Sequence, residues 1–175
     1  WLGDKTGQGF FKKIKGEGGK SEILTLNLKT FEYAPREKPK FATVGASKPV
    51  DDLKTRMKML VAGQDKAGEF YRQFHYSLFS YVSFRIPEIS DEIYRLDDAM
   101  RAGFGWELGP FESWDVLGVK KVTEQMKAAG VAYAGWVDEF IGAGNDSFYK
   151  VENGKRQCYD AATKAYKPLP GGDAF

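Results

Sequence analysis

Apolar residues change their spacing twice along the chain. In residues 23–28, Ile-Leu-Thr-Leu-Asn-Leu, apolar and polar positions alternate with the period of a strand. The glycines between Gly16 and Gly19 supply a flexible turn before it, so a small β ribbon is expected over residues 9–33. Residues 34–50 carry three prolines and scattered charges, which oppose helix and sheet alike and read as a linker. From Asp51 the spacing becomes helical: Leu53, Met57, Leu60 and Val61 share a face, Asp51 and Asp52 suit the positive end of the helix dipole, and Gly63 closes the run. A longer helix from Lys66 to about Arg85 carries Phe70, Phe74, Leu78, Tyr81 and Val82 on its expected inner face, with further rings around the circumference that predict deep burial. Pro87 ends or kinks it, and Ser90 is placed to cap the next helix. That helix buries Ile93, Leu96 and Met100, with Tyr94 a further candidate, and stops at Gly103. Pro110 suits the first turn of another, and two more helices end in glycine. The chain then returns to strand chemistry over residues 147–160, where Asn153-Gly154 signals a two-residue hairpin, before an exposed end at residues 168–172.

One internal echo stands out. Phe10, Phe11 and Lys12 align with Phe148, Tyr149 and Lys150, and each trio is followed by a Gly-Lys turn and later by a tyrosine. The chain reads as the ends of two related units, the first of them truncated at Trp1.

Composition narrows the function classes. Charged residues at 29% and hydrophobic ones at 42% are the balance of a globular chain with a packed core. The net charge of +2 is spread without blocks, which gives no footprint for nucleic acid. No stretch reaches the ~20 apolar residues of a membrane span, and a cytoplasmic location is expected. The 15% aromatic content is well suited to contact surfaces.

Candidate chemistry is sparse. His75 is the only histidine and sits between two rings in the long helix, where a packed structural role is favoured over a catalytic one. Asp91, Glu92, Asp97 and Asp98 could be imagined as metal ligands, but one helix face lacks the convergent oxygens a hard cation needs. Cys158 has no partner for a bridge or a reactive dyad. Gly7-Gln8-Gly9 precedes a strand instead of opening a helix and is no phosphate cradle. The distinctive stretch is Gly103 to Asp115, in which three glycines and a proline shape a bend crowded by rings. Those rings either fill the core or form a contact surface, with Phe104, Trp106, Gly109, Pro110, Phe111 and Trp114 as the interface candidates.

That stretch carries a resemblance. Asp98-Ala99-Met100, Gly103 to Gly105, Gly109-Pro110-Phe111-Glu112, Asp115 and Gly118 stand in the order and spacing of the C-terminal domain of 3-hydroxyacyl-CoA dehydrogenases. Lys5-Thr6-Gly7-Gln8-Gly9-Phe10-Phe11-Lys12, with its degenerate copy from Ser147 to Lys150, is similar to the end of the same helical domain. The resemblance implies a mainly α fold of the 6-phosphogluconate-dehydrogenase C-terminal type with small β ribbons at both ends. It implies that residues 1–34 are the tail strands of a first repeat, 35–50 a linker, 51–168 a second repeat and 169–175 a tail. The parent enzyme would oxidise 3-hydroxyacyl-CoA to 3-ketoacyl-CoA with NAD, in fatty-acid β-oxidation. The family's NAD fingerprint, catalytic histidine and glutamate, and assisting asparagine have no counterpart in this sequence, so no catalytic, cofactor or metal residue carries over. What remains is packing, cleft formation and association. The expected partners are the parent's own NAD-binding domain and first helical repeat, with acyl-CoA at the cleft or a second copy of the fragment as further possibilities. The alternatives are a free-standing acyl-CoA-binding or protein-interaction module, and an enzyme that pairs His75 with an acidic residue between Asp91 and Asp98.

Overall fold

The computed structural model describes residues 2–173 and divides into two units, one up to Lys40 and one from Phe41 onward. In the first unit a 3-10 turn at Asp4–Thr6 precedes a three-stranded antiparallel sheet in the order β1 (Phe11–Lys15), β2 (Ser21–Leu26), β3 (Tyr33–Pro35). The alternation in residues 23–28 therefore forms a strand only up to Leu26, and Asn27 folds the chain back by accepting from the amides of Lys29 and Thr30.

The second unit is mainly α. Its helices are α1 (Ala42–Ser47), α2 (Leu53–Ala62), α3 (Lys66–Glu88), α4 (Ile93–Phe104), α5 (Pro110–Leu117), α6 (Val119–Ala128) and α7 (Trp136–Gly142). They are followed by a second antiparallel sheet in the order β4 (Tyr149–Glu152), β5 (Lys155–Asp160), β6 (Ala165–Asp173). Asn153 and Gly154 both take positive φ between β4 and β5, the conformation that matches a two-residue hairpin to strand twist.

Helix α1 lies inside the stretch read as a linker. It fits between Pro39 and Pro49, and its early amide at Thr43 donates to Asp65 (3.0 Å). Asp65 also caps α3 through the Gly68 amide (3.1 Å), a tertiary tie that local composition does not reveal. Ser90 accepts from the Glu92 amide (3.2 Å), so it acts just ahead of α4 instead of at its N-cap, which is Glu92. Helix α4 runs past Gly103 to a left-handed Gly105. Residues 169–173, expected as a tail, continue strand β6, while 174 and 175, like Trp1, lie outside the described residues.

The core of the second unit is built from rings. Phe79 stacks on Trp114 at 4.7 Å, and Phe148, fully buried, is surrounded by Phe111 (5.3 Å), Trp114 (5.5 Å), Trp136 (5.7 Å) and Phe140 (4.7 Å). Phe148 is thus the plug by which the sheet enters the helical core.

Helix α3 departs from the expectation of burial all round. Tyr76, Phe79, Val82 and Ile86 point into the core, while Phe70, Phe74, Tyr81 and Phe84 are exposed. Three of the residues read as its inner face therefore point outward: Phe70, Phe74 and Tyr81. Both faces of the helix are apolar, so periodicity alone could not choose between them.

Candidate functional site

The bend between α4 and α5 is held by a buried carboxylate. Asp97, fully buried in α4, accepts from the amides of Phe111 (2.9 Å) and Glu112 (3.1 Å) and from the hydroxyl of Tyr149 (2.7 Å). The amides at the start of α5 have no partner within their own helix, so Asp97 satisfies two of them from a neighbouring one. Burial pushes the Asp97 carboxyl up to about 7, against the opposing pull of its three donors. Burial, and then the Asp97 charge, push Tyr149 upward, so the phenol stays protonated and donates.

Gly109 is the point of closest approach. A Cβ there would lie 2.2–2.4 Å from Cα, Cβ and Cγ of Asp97, so glycine is required by contact and not by its φ of −73°. Glu112 closes the turn by accepting from the Gly109 amide (2.9 Å), and it pairs with Arg101 and, at 3.4 Å, with Arg156. At the other end of α5, Asp115 forks onto the amides of Phe148 (2.7 Å) and Tyr149 (2.9 Å). Burial raises it to about 6. The two aspartates therefore tie α4, α5 and β4 into one frame.

This frame separates the six interface candidates. Phe111 and Trp114 are completely buried, and Gly109 and Pro110 are buried beside Asp97. Their rings fill the core. Phe104 is 73% exposed, and Trp106 is half-buried against Phe74 with ring centres 6.4 Å apart.

The larger apolar surface that sequence reasoning missed runs along α3. At roughly 100° per residue, Phe70, Phe74, Tyr81 and Phe84 fall within one narrow stripe opposite the core-facing residues. Beside it lies a groove of about 390 Å³ lined chiefly by Leu53, Met57, Leu60, Phe74, Leu78 and Trp106. The signal was present in the spacing of the rings, but it became readable only once the other face was seen to be the core. Exposed Ser77 interrupts the stripe between Phe74 and Tyr81, and exposed rings grouped in this way suit a contact surface.

His75 lies at the floor of this groove, buried, with Nδ1 2.7 Å from the Tyr71 carbonyl of its own helix. Burial lowers its pKa, which keeps the ring neutral. Three of the four acidic residues proposed to assist it are engaged elsewhere: Asp97 at α5, Asp98 with Arg101, and Glu92 with Arg95. The structure does not bring these groups together with His75. Among the described residues no cluster of three or more His, Cys, Asp or Glu side chains could hold a metal ion. Cys158 is buried, and that burial pushes its thiol up to about 12, far from a reactive thiolate. Among the described residues no helix is long and apolar enough to cross a membrane.

With this geometry in view, similarity to known proteins can be placed on it. A protein named as a probable 3-hydroxyacyl-CoA dehydrogenase in Bacillus subtilis (strain 168) is 39% identical over 160 residues, which is 91% of this chain and 20% of that protein. A Rickettsia prowazekii protein carrying the name fatty acid oxidation complex trifunctional enzyme is 24% identical over 108 residues, 62% of this chain and 14% of its own length. A Rickettsia felis protein of the same name matches over the same shares. This chain thus spans about one fifth or less of the curated relatives it matches. No family model and no solved structure matches.

Proposed function

This chain is related in sequence to the 3-hydroxyacyl-CoA dehydrogenases over nearly all its length, and from that kinship we propose that it is a non-catalytic helical part of such an enzyme. The observation that carries the reading is the 39% identity across 91% of the chain, set against the one fifth of the relative that it spans. The parent enzyme would oxidise 3-hydroxyacyl-CoA to 3-ketoacyl-CoA, with NAD held by a different segment. The residues of this chain would shape and support the catalytic body without touching the reacting atoms.

The α3 stripe supports a packing role. Phe70, Phe74, Tyr81 and Phe84 give one helix face the aromatic character of a contact surface, and Trp106 and the neighbouring groove extend it. The partner on this reading is another part of the same enzyme, its NAD-binding domain or first helical repeat. A test measures NADH oxidation with acetoacetyl-CoA. The 175-residue chain alone should show no turnover and the whole gene product should show it; turnover by the chain alone refutes the reading.

The groove favours a second reading, in which this helical module takes an acyl-CoA or a protein partner on its own. Calorimetric titration of the chain with a medium-chain acyl-CoA separates the two. Saturable binding supports the second, and no heat beyond dilution favours packing. A homodimer through the α3 stripe would appear as a concentration-dependent sedimentation coefficient.

A further inference from the structure

Two polar atoms in the lining of the groove beside α3 have no hydrogen-bond partner among the described residues: Nε2 of His75 and the hydroxyl of Ser113 on α5. Both residues belong to the groove lining and both are more than nine-tenths buried, His75 at 7% exposed and Ser113 at 5%. Nδ1 of His75 lies 2.7 Å from the Tyr71 carbonyl, an oxygen that can only accept. Nδ1 therefore carries the hydrogen, and Nε2 of the neutral ring is left with a lone pair. Neither atom is sealed inside the protein, so a molecule in the groove can reach them.

The surroundings restrict what that molecule can be. The walls are mainly apolar, with the rings of Phe74 and Trp106 6.4 Å apart, and the two charged residues of the lining, Arg56 and Glu107, have opposite signs. Nothing there selects a net charge. A water resting on either polar atom finds hydrocarbon on its other sides, short of the three or so bonds that hold an ordered water. A group that makes the same bond and brings apolar surface with it gains affinity by displacing such a water. A carboxylate would set negative charge against the Nε2 lone pair, and a pure hydrocarbon would leave both polar atoms unpartnered. A hydroxyl carries a donor for Nε2 and lone pairs for the Ser113 hydrogen.

We propose that this groove binds an uncharged apolar molecule bearing a hydroxyl group, a phenol or a medium-length alcohol. Its hydroxyl is seated at His75 and Ser113 and its apolar body lies against Phe74 and Trp106. The groove, at about 390 Å³, has the size of a small-molecule pocket. The proposal rests on the second reading above, that the groove takes a ligand, and names the chemistry of that ligand.

Para-propylphenol and para-propylanisole test it, since the methyl ether keeps the ring and chain but has no hydrogen to donate. Titrated into the 175-residue chain, the phenol should bind at least about tenfold more tightly than the ether and than para-propylbenzoate. His75 is the only histidine, so its Nε2 gives a single nitrogen NMR resonance. The phenol should move that resonance toward the hydrogen-bonded position, and the ether should not. His75→Phe should abolish the phenol's advantage over the ether; if that variant does not fold, Ser113→Ala should narrow the advantage severalfold. Absence of binding, equal affinity for phenol and ether, tighter binding of the benzoate, or an unmoved resonance at saturating phenol overturns the proposal. Phenol binding that is lost in the whole gene product gives the groove to another part of the enzyme and overturns it as well. Saturable acyl-CoA binding without any response to the phenol would uphold the second reading and overturn this one.

Discussion

Asp97 and Gly109 show how one contact sets the requirements at two positions. The carboxylate must reach the amides of Phe111 and Glu112, and it can do so only where nothing larger than hydrogen stands on the Cα of residue 109. Gly109→Ala should therefore cost about 3 kcal/mol or more, because the overlap is with backbone and Cβ atoms that cannot rotate away, and the cost is read from urea denaturation. The same carboxylate makes stability depend on pH. Burial raises Asp97 to about 7 and Asp115 to about 6, above the ordinary carboxylate value, so the folded state holds protons that the unfolded chain has released. Their contribution is complete below about pH 4 and is lost as pH rises toward 7. The free energy of unfolding should fall by several kcal/mol across that window, with about 7 kcal/mol as the upper bound set by the two shifts, and Asp97→Asn should flatten the profile. A profile for that variant as steep as the parent's would mean that Asp97 is not the group responsible.

Some elements were legible from spacing because one local rule decided them. The Asn153-Gly154 turn needs two left-handed residues in a row, and that pair is among the few that accept the conformation. Gly154→Ala, with φ near 73°, should lower stability by about 1 kcal/mol and show as a lower melting temperature. Helix α5 was likewise readable from Pro110 at its first turn, and the echo of Phe10 in Phe148 pointed to two related sheets. Helix α3 was not readable in the same way, because apolar residues occupy both of its faces and only the position of Trp114 and the other helices decides which becomes core. The bend from Gly103 to Asp115 was recognised as distinctive, yet four of its six candidate contact residues turned out to be core. What was invisible there was Asp97, a single carboxylate in an acidic run, whose partners lie 14 and 15 residues away.

The chain divides into two units, and this has a mechanical consequence at their boundary. Residues 36–40 are exposed and belong to no helix or strand, and they separate the short sheet from a unit that has its own ring core and its own closing sheet. Interactions that stabilise the second unit, from the Asp97 frame to Phe148, lie within it. A segment of this kind is open to proteolysis, whereas the lysines and arginines on the helices are protected by backbone hydrogen bonds. Brief trypsin treatment should therefore cut after Arg36 and Lys40 but not after Lys38, where proline follows. The product should begin at Glu37 or Phe41 and melt within a few degrees of the uncut chain, as monitored by circular dichroism. A product that unfolds as it is cut would show that the second unit depends on residues before Phe41 for its stability, and it would assign the two sheets to one cooperative body.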